Sequence, residues 1–428
     1  MIPLKNNSED KPSWINSIPF NYGWVIVVVA WIGMFMSGPG QTFVVAIFVD
    51  PIIEDTGWSR TTVSAVYSAG SICAFVGAVI AGRAFDKLGA RIVLTAVAAL
   101  FGLATVLMSQ VTHPVHLFLG FWGIRSLGQT ALSMVSTSTV NIWFIRLRGK
   151  ATAITSLAAP ISEIALPPLV YLLIVNNGWR STWVILGIAI WVILLPPAIL
   201  LVRRTPESIG LKPDMGRKDV LGLNDSQAAD VQEENWTSKE AMKTKSFWLI
   251  IFAGTAGSLI GTAMTFHHMS IMNSRGIEDT QATLILSLTA AVGVFSTILA
   301  GYLLDKIPNR FILVAGQVAL MASMGWTFFI QDTWHAIVYG IFTGMAQGLI
   351  YTTMIVIFPN YFGRKHLGTI MGVATIGMVV SSGLGPLPFG ALYEISNNYD
   401  LAIISFLPLP ALCALSALFA PPPKHKSD

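Results

Sequence analysis

The chain has 428 residues, 54% of them hydrophobic and only 11% charged, with a formal net charge of +4. A soluble domain carries about 25% charged residues, so this chain has too few polar groups to cover a water-facing surface, and lipid must be the solvent for much of it. The small, dispersed charge gives no basis for a nucleic-acid partner.

The first twenty residues are polar, with Lys5, Glu9, Asp10 and Lys11. They lack the charged, then apolar, then small-residue order of a cleaved signal peptide, so the first apolar run is expected to remain as a span. Apolar runs of the roughly 20 residues needed to cross a bilayer then recur along the chain. The first six are expected at 22–48, 61–82, 91–111, 115–141, 149–173 and 180–202. The second six are expected at 246–270, 281–304, 310–330, 335–358, 366–392 and 400–421. Helices are the choice for each, because a lipid-facing backbone must satisfy its own hydrogen bonds and no alternating barrel pattern is present. Cys73 and Cys413 both lie inside apolar runs and read as small buried hydrophobes, not as a disulfide or a metal site.

Charge orients the layout. With both termini cytoplasmic, the inner segments hold all but four of the 26 Lys and Arg residues. Arg60, Arg180 and Arg275 fall in outer loops and Arg125 inside a span, the asymmetry of a multi-pass plasma-membrane protein under the positive-inside rule. The only long polar stretch, 203–245, balances eight basic against eight acidic residues and reads as a solvated linker. Within it Thr237 to Glu240 forms a capping-box pattern opening a short helix. The expected organisation is a tail (1–21), a six-helix bundle (22–202), the linker (203–245), a second six-helix bundle (246–421) and a short tail (422–428).

The halves repeat. Gly82, Asp86, Lys87 and Arg91 after span 2 recur as Gly301, Asp305, Lys306 and Arg310 after span 8, 219 residues on. Trp143-Phe144, basic residues and Gly149 recur as Tyr361-Phe362, basic residues and Gly368, 218 residues on. A duplicated six-helix unit puts a cavity between its halves, and rocking one half on the other exposes that cavity to each side in turn. An Asp in such a short loop can face the positive end of a neighbouring helix. Gly82, Asp86, Arg91, Gly301, Asp305 and Arg310 are therefore candidates for a conformational latch, set against ordinary charged turns.

On these loops the chain resembles the major facilitator superfamily, over essentially its whole length. Several stretches resemble the bacterial monocarboxylate-porter branch. They are Tyr22-Gly23-Trp24-Val25, Gly57-Trp58-Ser59-Arg60, Trp143-Phe144 with Arg146, Arg148 and Gly149, Gly178-Trp179-Arg180, and Arg204-Thr205-Pro206-Glu207 with Gly210-Leu211-Lys212-Pro213-Asp214. The resemblance implies an all-α membrane protein with twelve transmembrane helices in two pseudo-symmetric bundles. It also implies alternating access and proton-coupled movement of small organic anions. One feature departs from the pattern: span 8 carries no charge from Ala282 to Leu304, where monocarboxylate carriers hold a substrate-binding Arg.

Charges inside a membrane are costly and mark function by default. Arg125 lies ~15 Å from the outer end of span 4 and Glu163 ~20 Å from the inner end of span 5, at 1.5 Å per residue. Arg125 can hold a carboxylate by two parallel hydrogen bonds, and a carboxyl group in a dry environment suits proton carriage. The alternative is a static Arg125–Glu163 pair tying spans 4 and 5. Gln129 sits one turn from Arg125. Its repeat counterpart Gln347, with Tyr351 a turn later, suits a polar cavity or inter-helix hydrogen bonding. His267 is a candidate for substrate and His268 for the proton, or both are interfacial. Ser37-Gly38-Pro39-Gly40-Gln41-Thr42 breaks span 1, either to face Gln41 toward substrate in a cavity or as a simple kink.

No ligand spacing marks a metal site, no phosphate loop marks a nucleotide site, and no cofactor is expected. The expectation is a carrier, working as a monomer, for a small organic anion and a proton. Its rivals are a proton-driven efflux carrier for amphipathic compounds and a non-transporting sensor.

Overall fold

A computed structural model describes residues 21–144, 147–209, 236–363 and 366–423. The two tails, most of the linker, Arg146 and the Gly210–Asp214 stretch lie outside them. Among the described residues every regular element is helical. Ten helical stretches are long and apolar enough to cross a bilayer.

One of these, Arg148–Leu200, runs 53 residues. That is ~80 Å at 1.5 Å per residue, far beyond a hydrocarbon core of ~30 Å. It reverses at Gly178, whose φ of 77° and ψ of 160° only glycine adopts without strain, and so supplies two rods. Residues 114–143 add another, so the described residues form twelve helical rods.

The first six rods are α1 (Gly23–Met36 and Thr42–Thr56), α2 (Arg60–Cys73 and Phe75–Leu88), α3 (Ala90–Leu107), α4 (114–143), α5 (Arg148–Ser156 and 158–177) and α6 (179–200). The second six are α7 (Lys245–Phe266 and His268–Ser274), α8 (Asp279–Leu304), α9 (Asn309–Trp326), α10 (Thr333–Phe362), α11 (Leu367–Leu384 and Pro386–Ser396) and α12 (Asp400–Phe406 and Pro408–Leu418). The capping box at Thr237 and Glu240 is formed and opens the short helix Ser238–Lys243.

Glycine sets the tightest packing, and it does so in both halves. A β-carbon on Gly344 of α10 would lie 2.8 Å from Val292 Cβ and 3.0 Å from the backbone nitrogen of Gly293 on α8. A β-carbon on Gly77 of α2 would lie 2.6 Å from Ser126 Cβ on α4. The pairs α2–α4 and α8–α10 correspond by the repeat, and each brings its backbones together through glycine, as membrane helices do.

The halves meet at one end of the bundle and part toward the other. The end carrying the 82–91 and 301–310 loops is here the basic end, and its opposite the far end. At the far end Glu394 of α11 accepts a 2.8 Å hydrogen bond from the Thr61 backbone N–H at the start of α2. Arg60 pairs with Asp50 of α1 at 2.6 Å and lies over the Tyr393 ring. Nearer the middle, Ser287 of α8 donates to the Ile164 carbonyl of α5 at 2.7 Å. At the basic end Phe75–Leu88, Ser133–Trp143 and Arg148–Ser156 pack mainly against their own half. Among the described residues the cleft between the bundles therefore opens at the basic end.

Gly344→Ala should destabilise the protein by about 1–3 kcal/mol, the usual cost of overpacking. Gly372→Ala, whose β-carbon meets nothing within 4 Å, should not lower the unfolding temperature. Thermal unfolding of both variants in detergent checks this.

Candidate functional site

The site is built on the break in α1. A helical Phe35 carbonyl would accept from the backbone of residue 39, but Pro39 has no N–H to give. Ser162 of α5 fills the place, its hydroxyl donating to the Phe35 carbonyl at 2.8 Å. The chain makes one tight turn over Gly38–Gly40 and restarts as helix at Thr42. Glycine is required on both sides of that turn. A β-carbon on Gly38 would meet Ser162 Oγ at 2.5 Å. One on Gly40 would lie 3.0 Å from Gly128 Cα and 3.1 Å from the Gln129 nitrogen on α4.

Facing this turn, α4 changes its winding. Arg125–Leu132 forms a π-helix between two α-helical segments. Such segments take up a residue inserted into an α-helix and concentrate at functional sites. The repeat carries its trace. Pro114 and Thr333, which open α4 and α10, are 219 residues apart, whereas the terminal aromatic pairs Trp143-Phe144 and Tyr361-Phe362 are 218 apart. The first half thus holds one residue more over this stretch.

Arg125 opens the π segment and is only 2% exposed. Its Nη1 donates to Thr42 Oγ1 at 3.0 Å and to the Gly40 carbonyl at 3.4 Å. The guanidinium carbon sits 5.0 Å over the Tyr67 ring of α2, a cation–π arrangement. The Tyr67 hydroxyl in turn lies 2.8 Å from Thr42 Oγ1. Arg125 Nε is buried without a hydrogen-bond partner. Among the described residues no carboxylate lies within 4.0 Å of Arg125. Buried charges are ordinarily paired, so this cation has capacity for an anion from outside the chain.

Glu163 is not that anion here, and the static Arg125–Glu163 pair is not formed. Helical geometry gives its direction. On α5 Ser162 and Leu166 face the α1 turn, and Ile164 faces Ser287 of α8. At about 100° per residue Glu163 falls between those two faces. The exposed Leu157, Ile161, Leu169, Leu172 and Val175 occupy the other side of the helix. Glu163 is half-buried and makes no hydrogen bond or ion pair among the described residues. Gln129 is half-buried beside Gly40. The Gln41 amide donates to Ser37 Oγ at 3.4 Å. The broken turn therefore gathers Gln41, Arg125 and Gln129, together with Thr42, Tyr67 and Ser162, whose parts the sequence patterns do not reveal, and Glu163 lies on α5 next to Ser162 without a hydrogen bond to the turn among the described residues.

The other candidates lie elsewhere. Gln347 of α10 is half-buried near Gly293 of α8, and Tyr351 is 69% exposed one turn on. The two histidines are buried, and α7 breaks at His267. His267 Nε2 lies 2.9 Å from the Pro386 carbonyl and Nδ1 3.2 Å from the Tyr399 hydroxyl. His268 Nε2 lies 2.9 Å from the Ala282 carbonyl. At the basic end Asp86 and Asp305 are exposed, with no hydrogen bond or ion pair among the described residues. Arg91 Nε donates to the Ile199 carbonyl at 3.0 Å, and Arg310 lies by the Phe311 ring. A β-carbon on Gly82 would be 3.8 Å from Met134, and one on Gly301 would meet nothing.

Comparison with known proteins places this site in a context. Residues 30–334 and 265–428 match the model of the Major Facilitator Superfamily. The probable sulfoacetate transporter of Cupriavidus necator is 23% identical over 87% of this chain and 88% of its own length. The glucose transporter of Staphylococcus epidermidis is 24% identical over 83% and 85%. Human monocarboxylate transporter 2 is 21% identical over 90% and 82%. Among solved structures, a bacterial homolog of the human lysosomal transporter Spinster, inward-facing and unoccupied, superposes with a TM-score of 0.68 at 16% identity. That superposition covers 93% of this chain and 95% of the other, and it shows a shared fold.

Gly40→Ala should push the α1 turn off α4 and lengthen the Arg125–Thr42 contact. The expected outcome is transport lowered by about tenfold or more, as misplacement near 1 Å produces, with the protein still folded. Initial uptake rates and size-exclusion profiles of the variant check it.

Proposed function

The chain belongs to the Major Facilitator Superfamily and is a secondary transporter in the membrane, not an enzyme, and from that premise we propose that its cargo is a small organic anion. The observation that carries this is the unpartnered edge of Arg125. One side of the guanidinium is engaged by Thr42 and Gly40, while Nε is buried without a partner. Nε and Nη2 together form a fork that matches a single carboxylate or sulfonate by two parallel hydrogen bonds. The charge-free span of α8 fits this placement, because the cation that binds cargo stands in the first half instead. The relatives' cargoes, named as sulfoacetate, monocarboxylates and glucose, include acids and a sugar. An unpaired buried cation favours the acids.

Glu163 carries the coupling proton in this proposal. Its direction falls between the α1 turn and α8, it has no partner among the described residues to hold it ionised, and it stands between the half that binds cargo and the half that moves past it. Gln41 and Gln129 orient the anion, and Gln347 and Tyr351 line the opposite wall. The histidines fasten α7 to its neighbours through backbone carbonyls. The protein is a plasma-membrane carrier with both termini cytoplasmic, so the basic end faces inward and the cleft described above is the inward-open state. Asp86 and Asp305, unpaired while the basic end is open, engage when it closes, with Gly82, Gly301, Arg91 and Arg310 shaping the two loops.

Uptake of radiolabelled carboxylates and sulfoacetate into proteoliposomes tests the proposal, with D-glucose as the neutral control. Hydrogen bonds to a charged group are worth ~1.5–3 kcal/mol, so Arg125→Gln should lower anion uptake by about ten- to a hundredfold, and Arg125→Lys should recover part of it. Uptake of anion by Arg125→Gln at the wild-type rate overturns the anion site. Glu163→Gln should transport at a rate indifferent to an imposed pH gradient, and full retention of that dependence removes Glu163 as the proton carrier.

A further inference from the structure

Tyr67 is fully buried and has contacts in three directions. Its ring lies under the Arg125 guanidinium, its hydroxyl meets Thr42 on the α1 turn, and its ring centroid lies 4.4 Å from that of Phe266, the planes tilted by 38°. Phe266 belongs to α7, in the second half. Among the described residues it is the only buried one of that half that joins the main apolar cluster of the first. It is also rigidly mounted. It is the last residue of its helix, and the next residue, His267, is fixed by the Pro386 carbonyl on α11 and the Tyr399 hydroxyl. Phe266 therefore moves with the far end of the second half.

From this juxtaposition we infer that Tyr67 is the positioning residue that couples anion occupancy at Arg125 to opening of the far end. The inference rests on the anion site proposed above. A guanidinium attracts the negative face of an aromatic ring because its charge is uncompensated. An anion on the Nε side compensates that charge and weakens the hold on Tyr67. The ring is then free to leave the tilted contact that joins it to Phe266 across the closed far end. Occupancy thus favours the far-open state, the transition a loaded carrier must make to deliver its cargo across the membrane.

Accessibility of a reporter thiol tests this on the purified full-length protein. Ser64 is 0% exposed at the start of α2, against Gly390 of α11. Ser64→Cys in a Cys73→Ala, Cys413→Ala background can react with a maleimide only when the far end opens. Ser68→Cys, also buried on α2, replaces it should that variant misfold. Benzoate, pyruvate and sulfoacetate are the probes, and their binding is followed in parallel by thermal shift. With Tyr67 present, a bound anion should speed labelling by about two- to thirtyfold, the span of cation–π strengths from exposed to desolvated sites. Tyr67→Phe, which keeps the ring, should keep the acceleration. Tyr67→Leu should bind anion and label at one rate with or without it. An acceleration preserved in Tyr67→Leu, or lost equally in Tyr67→Phe, overturns the ring as the coupling element. Binding without any acceleration in the parent overturns the coupling alone. No thermal shift with any probe overturns the anion site and the coupling together.

Discussion

Pro39 withholds one hydrogen-bond donor in a place where water cannot replace it. In hydrocarbon an unmet backbone carbonyl costs several kcal/mol, so the helix that carries Pro39 survives only if its neighbours supply what it lacks. Ser162 does so from α5, and Arg125 reaches the Gly40 carbonyl from α4. The glycines at 38 and 40 let both neighbours approach closely enough. Three helices are thereby fixed around one short turn, and the intramembrane cation is brought to it. The repair of a broken helix and the assembly of the site are the same set of contacts.

Much of this was legible before any coordinates. Long apolar runs separated by short turns define helices in lipid with little ambiguity, and the 203–245 stretch stood out by its charge alone. Arg125 and Glu163 were conspicuous because ionisable groups are rare in such runs. The break at 37–42 showed in its Pro and Gly. Tyr67 and Phe266 were not legible. Aromatic residues are common in spans, and nothing in their spacing says which of them meet across two bundles. The histidines show the opposite problem. Their chemistry drew attention in the sequence, but the break at His267 turns the adjacent rings to separate carbonyls, one on α11 and one on α8. The π segment was written in the fall of the repeat offset from 219 to 218, a signal that has meaning only once a helix is seen to absorb the residue.

The far end shows how closure is secured electrostatically. A carboxylate at a helix N-terminus gains from both the unmet N–H groups and the helix dipole. Glu394 of the second half occupies that position on α2 of the first. The sequence led us to look for this device among the acids of the basic-end loops, and there Asp86 and Asp305 stand unpaired. Among the described residues the carboxylates of one end are engaged across the halves and those of the other end are not.

The extra residue in α4 has a consequence for the work the protein performs. It breaks the two-fold likeness of the halves at one turn of one helix, the turn that carries Arg125 in the first half. On the anion site proposed for Arg125, a cargo gripped there would ride with that half as a passenger, while the second half would pass over it like a shutter. The grip does not need to be broken and remade as the halves rock. Affinity and the speed of the conformational cycle can then be adjusted by different residues, the one on the passenger's seat and the other on the shutter's edge.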